Sequence, residues 1–375
     1  MDRESPRPPA NDAERLDWLR LIRSRRVGPA TFRRLIAEHR SARAALAALP
    51  GIARAAGVAD YAPCPEEVAA DEIATARAMG ARMLCPGAPD YPDALAQMPD
   101  APPVLWLRGQ AAHLQRPMVA LVGARNASSL GVRMARRLAE GLGEAGFTVV
   151  SGLARGIDAE AHRASLGTGT VAVLAGGPDN AYPPENAALL QRVLDEGAIL
   201  TEQPPGTDPQ ARHFPLRNRI VAGLSRAVVV VEAAARSGSL ITARMALEMG
   251  RDVMAVPGHP FDARAAGCCQ LIRDGALLVR GPADVVDALG GTLTERPLPA
   301  ALPPLPGPVP DRRPLAEVAD LHGRILARLG PSPMAEDQLI RDLDLPPARI
   351  APELLALELD GRIERQAGGL VARLG

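Results

Sequence analysis

Glycine, serine and arginine follow several of the apolar runs in the middle of the sequence. Three such turns read G-A-R-N-A-S at 123–128, S-G-L-A-R-G at 151–156 and R-S-G-S at 236–239. Glycine lets a backbone approach a ligand, serine supplies a short donor, and arginine binds anions through two parallel N–H groups. One such turn is often glycine-rich for geometry alone. Several of them, opening helices whose N-termini favour anions, indicate a phosphate-binding site.

A basic segment without any acid lies between the second and third of these turns. In this segment, 212–226, Arg212, Arg217 and Arg219 surround Phe214. The arginines would add positive charge to an anion site. The sequence leaves two roles open for Phe214, which either stacks on a nucleobase or packs as a core ring beneath the site.

The composition narrows the chemistry of that site. The 375-residue chain contains no lysine, so all 43 basic residues are arginine, and the formal net charge is +0. A Walker-type P-loop and Schiff-base catalysis both require lysine and are excluded. The four cysteines show no C-x-x-C spacing and no H-E-x-x-H motif occurs, so the sequence predicts no metal or cofactor. A reduced, cytoplasmic protein without a signal peptide or membrane span is expected.

Short apolar runs and amphipathic helical stretches alternate from residue 118 to residue 290. The runs are 119–122, 147–150, 171–174, 198–200, 228–231, 253–256 and 276–279. This alternation predicts an α/β fold with a doubly wound, Rossmann-like sheet of mostly parallel strands. Ligands bind such sheets beyond the carboxyl ends of the strands, where the three turns would meet. Residues 82–110 are predicted to add one short edge strand.

The flanking segments predict two accessory domains. Residues 1–78 form a helical domain resembling sterile-alpha-motif or helix-hairpin-helix units, with predicted turns at 27–29 and 49–52 and a basic surface. The Rossmann-like domain occupies 79–290, and a proline-rich linker follows at 291–313. Residues 314–375 match the three helices and hairpin of a winged helix. The third helix is too acidic to suit a DNA groove, so we expect a structural or protein-contact role.

The sequence lacks the signatures of two enzyme classes. The G-x-G-x-x-G fingerprint of dehydrogenases is missing, and no G-x-S-x-G elbow is present. The remaining enzymatic alternative is a Rossmann-like nucleotide hydrolase, similar to the nucleoside-monophosphate phosphoribohydrolases, with Glu232 ahead of the turn at 236–239. His162, alone on a predicted helix, is expected to be structural.

The motifs together resemble one family. The sequence carries VGAR at 122–125 with Ser128, SGLARGIDAEAH at 151–162, VAVLAGG at 171–177 followed by Tyr182-Pro183 and Asn186, FPLRNRIVAGLS at 214–225, SGSLITA at 237–243 and VPG at 256–258. These segments resemble the DNA-processing protein A family, also called Smf. The match covers the whole Rossmann-like segment, and the two accessory domains are similar to those of the family with weaker motifs.

The resemblance implies a function and a set of site residues. It implies a cytoplasmic homodimer that binds single-stranded DNA without catalysing a reaction and loads the RecA recombinase during natural transformation. The implied binding residues are Gly123, Arg125, Ser128, Ser151, Gly152, Arg155, Gly156, Phe214, Arg217, Asn218, Arg219, Ser237, Gly238, Ser239 and Thr242. One departure is Cys269, which stands where the family usually has asparagine, so a hydrogen bond from that position is in question. A duplex-DNA regulator acting through the winged helix is the third alternative.

Overall fold

Strands and helices alternate from Arg82 to Ala288 in the computed structural model, as the apolar runs predict. The structure describes residues 7–58, 60–290, 315–330, 333–360, 362–366 and 370–373. The chain divides into two units, Met1–Arg296 and Pro297–Gly375. The proline-rich linker predicted at 291–313 lies outside the described residues.

Nine of the described strands form one sheet. They are β1 (Arg82–Leu84), β2 (Leu105–Gly109), β3 (Met118–Val122), β4 (Thr148–Ser151), β5 (Thr170–Val173), β6 (Ala198–Thr201), β7 (Ala227–Val230), β8 (Asp252–Ala255) and β9 (Leu277–Leu278). Their spatial order is β1-β2-β6-β5-β4-β3-β7-β8-β9. Strands β3 to β9 pair in parallel, so their carboxyl ends meet at one edge. Strands β4 to β6 follow β3 on one side of it, and β7 to β9 follow on the other. Such folds bind ligands at this switch in strand order.

The helices of the first unit cover the ends and both faces of this sheet. They are α1 (Asp12–Arg23), α2 (Pro29–His39), α3 (Ala42–Ala55), α4 (Glu66–Ala78), α5 (Asp93–Ala96), α6 (Ser129–Glu144), α7 (Ile157–Ser165), α8 (Ala187–Glu196), α9 (His213–Leu224), α10 (Gly238–Glu248), α11 (Ala266–Arg273) and α12 (Pro282–Ala288). Apolar residues of α9, α10 and α11 pack in one core, and those of α6, α7 and α12 pack in another. None of the described helices has the length and apolar character that a membrane crossing requires.

Two local predictions are wrong. Residues 82–110 contribute two strands instead of one edge strand, and β2 lies inside the sheet, antiparallel to both β1 and β6. The turn predicted at 49–52 lies within α3, which continues past Pro50. Leu46 and Leu49 are buried on the inner face of α3, so tertiary packing keeps this segment helical despite the proline.

The N-terminal helices share a core with the sheet. Trp18 and Phe32 pack together with ring centroids 5.0 Å apart, in the same buried cluster as Trp106 of β2. The Trp18 indole donates a hydrogen bond to the carbonyl of Pro103 at 2.8 Å. The helical domain is therefore packed directly on the β2 side of the sheet.

The second unit has the three helices and the hairpin predicted for a winged helix. Its elements are α13 (Leu315–Arg328), β10 (Met334–Ala335), α14 (Glu336–Leu343), α15 (Pro347–Leu359), β11 (Ile363–Gln366) and β12 (Leu370–Arg373). The three strands form their own antiparallel sheet in the order β10-β12-β11. A separate core that includes Leu339, Leu354 and Val371 holds the unit together.

Candidate functional site

A pocket of about 180 Å³ opens at the carboxyl ends of β3, β4 and β5. Five of the residues that the sequence singles out line it, namely Arg125, Gly152, Arg155, Phe214 and Arg217. Residues 174–176 and 182–185, which follow β5, and Asn180 form the opposite wall. The structure therefore brings together residues from three βα turns and from α9.

Arg217 is the cation at the base of this pocket. Its side chain is only 8% exposed, and a Cβ placed on Gly152 would lie 0.9 Å from its Nη1 atom. Glycine is therefore required at 152 for Arg217 to adopt this position. The Arg217 Nη1 atom lies 3.9 Å from Oδ2 of Asp158, and among the described residues its Nε–H has no hydrogen-bond partner. A buried guanidinium with unused donors beside an open pocket is suited to bind an anion.

The groups behind Arg217 set its electrostatic environment. Burial lowers the pKa of Arg217, and the Asp158 carboxylate opposes that change. The same carboxylate accepts hydrogen bonds from the backbone N–H groups of Gly152 at 3.1 Å and Ala154 at 3.4 Å. Burial, followed by the charge of Arg217, lowers the pKa of His162 to about 3, so His162 is neutral at physiological pH. Burial raises the pKa of Asp158, and the neighbouring Arg217 guanidinium opposes that change. The Gly152 N–H is engaged by Asp158 and is not available to a ligand.

Two aromatic rings and an arginine form the rim of the pocket. The Phe214 ring lies 5.7 Å from the Tyr182 ring and 5.5 Å below the guanidinium carbon of Arg125. Tyr182 is 45% exposed, and no described carboxylate lies within ion-pair distance of Arg125. Phe214 therefore lies at the pocket surface and not in the core. Tyr182 was missed as a site residue, although the Tyr-Pro pair after β5 was part of the motif.

Ser128 and Glu232 lie at the N-terminus of α6 and form hydrogen bonds with each other. The Ser128 hydroxyl accepts a hydrogen bond from the N–H of Gly131 at 3.0 Å and donates to Glu232, and the Ser128 N–H donates to Glu232 at 2.9 Å. A Cβ on Gly131 would overlap the Glu232 carboxylate, which shows how closely the carboxylate covers the first turn of α6. The position where a Rossmann fold binds phosphate is thus filled by a carboxylate of the chain itself.

Other residues of the first two turns have structural roles. The Ser151 hydroxyl is buried and donates to the carbonyl of Leu121 at 2.6 Å. Gly156 has φ 72° and ψ −122°, and a Cβ there would lie 2.2 Å from the carbonyl oxygen of Ala124. A Cβ at Gly123 would meet Ile157 at 2.7 Å. These three residues pack the turns together and do not line the pocket.

Arg219 points away from the pocket. Its guanidinium donates to the carbonyl of Asp100 at 2.6 Å and to the Glu202 carboxylate at 2.5 Å. Because Arg217 and Arg219 are two residues apart on α9, they lie about 200° apart around the helix axis. Asn218 is half-buried between them and also does not line the pocket.

The third turn lies outside the pocket as well. Ser237 caps α10 through its hydroxyl, which contacts the Ser239 hydroxyl at 2.7 Å. Thr242 is buried, and Gly238 is exposed with open space around it. Cys269, in place of the expected asparagine, makes a 3.6 Å contact from its sulfur to the carbonyl of Gly258. No grouping of metal-binding side chains occurs among the described residues.

The family of the chain follows from comparisons with known sequences. A family profile described as DNA recombination-mediator protein A matches residues 82–290, which is more than half of the 375 residues. Profiles described as DprA-like N-terminal HHH domain and DprA winged helix domain match residues 12–75 and 309–369. Both accessory domains inferred from the sequence are therefore those of the family.

Individual relatives agree with these profiles. Protein Smf of Synechocystis sp. is 37% identical over 76% of this chain and 79% of that protein. The X-ray structure of DNA processing protein A from Streptococcus pneumoniae has a TM-score of 0.56 and 40% identity, covering 60% of this chain and 77% of that one. DNA processing protein A from Helicobacter pylori, described for its unique single-stranded DNA binding mode, has a TM-score of 0.52 and 27% identity, covering 56% and 95%. The pocket is thus carried by a chain that belongs to the DNA recombination-mediator protein A family.

Proposed function

We propose that this protein binds single-stranded DNA in the pocket formed by Arg125, Gly152, Arg155, Phe214 and Arg217. The observation that carries the proposal is the buried Arg217 guanidinium, which opens on a pocket whose rim is a second arginine and an aromatic ring. Each of the two arginines contacts a phosphate of the strand, and Phe214 with Tyr182 offers a face for one nucleobase. The single-stranded DNA binding of the Helicobacter pylori relative supports this assignment.

The pocket suits a strand better than a free nucleotide. Glu232 already occupies the N-terminus of α6, so the phosphate position of nucleotide-binding Rossmann folds is closed. Arg125 and Arg155 are exposed at the pocket mouth. Arg155 lies 3.8 Å from the Glu185 carboxylate, so a passing backbone has Arg125 as the arginine without an ion pair among the described residues. Several other predicted residues have structural or supporting roles in this proposal, namely Ser128, Ser151, Gly156, Asn218, Arg219 and the residues of 237–242.

The salt dependence of binding tests the assignment. For oligo-dT, log affinity should fall with log salt concentration at a slope of about −0.7 for each phosphate contact. Changing Arg125 or Arg217 to alanine removes one contact, and the slope should become less steep by about 0.7. Fluorescence anisotropy at a series of salt concentrations measures both slopes.

Arg192→Ala is the matched control for this experiment. Arg192 is 57% exposed and pairs with Glu196 near the end of α8, away from the pocket. Its removal should leave the slope unchanged, although it removes the same charge. Because Arg217→Ala leaves Asp158 buried without its partner, thermal unfolding of that variant is measured in parallel. An unchanged slope in folded Arg125→Ala and Arg217→Ala would overturn the pocket assignment.

The wider role follows that of the family. The protein is a cytoplasmic homodimer that protects incoming single strands and loads a RecA-type recombinase on them in natural transformation and recombination. It is not an enzyme: Glu232, the acid of the hydrolase alternative, is held by Ser128. Release of free base from nucleoside monophosphates by the purified protein would contradict the absence of enzyme activity. A preference for duplex over single-stranded oligonucleotides in a gel shift would contradict the assignment to single-stranded DNA.

A further inference from the structure

Phe261 is the most exposed large apolar side chain among the described residues, at 95%. The chain has only four phenylalanines. Phe32 and Phe147 are buried, and Phe214 lies at the pocket rim. Leaving an aromatic ring in water forgoes the free energy that its burial would contribute. The exposure of Phe261 therefore indicates a partner that covers the ring.

The loop after β8 is built to hold this ring outward. Asp262 donates its backbone N–H to the carbonyl of His259, and Ala265 donates to the carbonyl of Asp262, both at 2.9 Å. The Phe261 N–H donates to Nδ1 of His259 at 3.3 Å, and the two rings lie 5.5 Å apart. The carbonyl of Arg264 accepts from the N–H of Ala233, at 2.7 Å, which fixes the loop to the end of β7. The ring thus stands on a hydrogen-bonded turn.

This loop lies on the same edge of the sheet as the pocket. Strands β4, β3, β7 and β8 are consecutive neighbours and all parallel, so the segments that follow them lie side by side. Two to four strand spacings separate the end of β8 from the strands that carry the pocket, which is about 9–19 Å. A single strand bound over several nucleotides covers this distance.

The surface between the pocket and Phe261 is suited to a phosphate backbone. Arg125 follows β3, and the exposed Arg236 follows β7, between the pocket and Phe261. The nearby carboxylates are already engaged: Glu232 accepts hydrogen bonds from Ser128, and Asp262 pairs with Arg264 at 3.2 Å. Positive charge followed by an exposed ring pair fits a nucleic-acid strand better than an apolar protein surface.

We propose that Phe261 and His259 form a second nucleobase-stacking platform for the strand whose phosphate lies in the Arg125–Arg217 pocket. The inference rests on the proposed function and extends it from one nucleotide to a bound segment. The strand leaves the pocket, passes Arg236 and places a base on the Phe261 ring. Stacking is independent of base identity because every base has a π-face, so this contact adds affinity without sequence preference.

A tryptophan at position 261 reports this contact directly. The two natural tryptophans, Trp18 and Trp106, are buried, so an exposed indole from Phe261→Trp has a distinct emission. Oligo-dT of about 4 to 16 nucleotides, the range that single-strand-binding domains cover, should quench this emission above a threshold length. An abasic oligonucleotide of equal length carries the same phosphates and should leave the emission unchanged.

Affinity measurements provide the second test. Phe261→Ala should weaken binding of the longer oligo-dT by about 5- to 150-fold, the loss expected for one stacked base, and leave short oligo-dT unaffected. Phe261→Tyr should restore binding because it keeps the ring. Val68→Ala is the matched control, since Val68 is also exposed, at 56%, but lies on α4.

The outcomes separate this inference from the proposed function. Binding that depends on Arg125 and Arg217 but is unchanged by Phe261→Ala at every length, with no quenching of the tryptophan, overturns the platform alone. Absence of any oligo-dT binding by the natural protein overturns both. Equal quenching by oligo-dT and by the abasic oligonucleotide also overturns the platform, because the ring would then respond to the backbone and not to a base.

Discussion

Gly152 and Arg217 form the pocket through a contact that only one residue type permits. The Gly152 backbone is not in the left-handed region, so its role is to leave space and not to allow a special conformation. The guanidinium of Arg217 lies where any Cβ at 152 would be. In the proposed binding site, Gly152 thus acts by leaving space for Arg217 and not by contacting a ligand.

Gly152→Ala should therefore weaken DNA binding through Arg217. The alanine Cβ forces the end of the flexible arginine side chain out of the pocket, and one phosphate contact is lost. We expect the salt slope for oligo-dT to become less steep by about 0.7, as for Arg217→Ala. Anisotropy titrations at several salt concentrations measure this effect.

The matched control is Gly167→Ala, where nothing lies within 4 Å of an added Cβ and the backbone is ordinary. This variant should bind like the natural protein. The double variant Gly152→Ala/Arg217→Ala should bind like either single variant, because both remove the same contact. Additive losses of affinity in the double variant would show that Gly152 contributes to binding independently of Arg217.

Residue roles within one motif are the part that the sequence predicts least well. The FPLRNR segment at 214–219 identified Phe214, Arg217 and Arg219 as a group, but α9 turns Arg217 toward the pocket and Arg219 away from it. Likewise, Ser128 and Ser151 were expected to donate to a ligand, and both donate within the chain. Such roles depend on side-chain partners distant in sequence, such as Glu232 and Leu121.

At the scale of elements, α9 connects the pocket to the N-terminal helices. Arg219 joins Asp100 and Glu202 on the face of α9 opposite Arg217. Arg23 of α1 donates to the carbonyl of Glu202 at 3.0 Å and pairs with Glu72 of α4 at 2.7 Å. These buried and half-buried ion pairs fix α9, and with it Phe214 and Arg217, to the helical domain.

Arg219→Met should destabilise the first unit without changing its salt slope. The substitution leaves the Glu202 carboxylate buried without its main partner, and breaking such a pair costs about 3–5 kcal/mol. Because Arg219 points away from the pocket, the number of phosphate contacts in the folded variant should stay the same. Urea unfolding measures the loss of stability, and oligo-dT titration at several salt concentrations measures the salt slope.

Adding Glu202→Gln to this variant should recover much of the lost stability, because no charge is then left buried. A salt slope that becomes less steep in Arg219→Met by as much as in Arg125→Ala would contradict the position of Arg219. Such a result would instead support a phosphate contact by Arg219, as the sequence motif suggested.

The sequence predicted most of the elements. The Val- and Ala-rich runs at 119–122, 171–174, 228–231 and 253–256 all became buried strands, because such runs are stable only when both faces are covered. The position of β2 inside the sheet and the continuation of α3 past Pro50 were not predicted. Both depend on packing between the helical domain and the sheet, which local patterns do not contain.

At the scale of the whole molecule, the two units have different surface chemistry. The first contains the arginine pocket. In the second, α15 carries Arg349 and Glu358 outside the core, and its buried Glu353 contacts His322 at 2.7 Å. A third helix of this charge does not favour entry into a DNA groove.

A chain ending at Arg296 should therefore keep its affinity for oligo-dT. Residues 1–296 form one compact unit with its own cores and contain the complete pocket. We expect a dissociation constant within about threefold of that of the full chain, which is less than 1 kcal/mol. Anisotropy of labelled oligo-dT compares the two proteins.

The isolated second unit, residues 297–375, is the complementary control and should not shift either single-stranded or duplex oligonucleotides. Loss of all DNA binding on truncation would instead support the duplex-DNA regulator as the function. Circular dichroism of both fragments verifies that each is folded before the comparison is made.

The carboxylate of Glu232 has a consequence inside a cell. Adenine and guanine nucleotides are abundant there, and a Rossmann fold with an open first turn would be filled by them. Since Glu232 lies over the N-terminus of α6, we expect that added ATP does not displace oligo-dT from the proposed site, even when the DNA is present at far lower concentration. One internal side chain would thus keep metabolites from competing with rare strands.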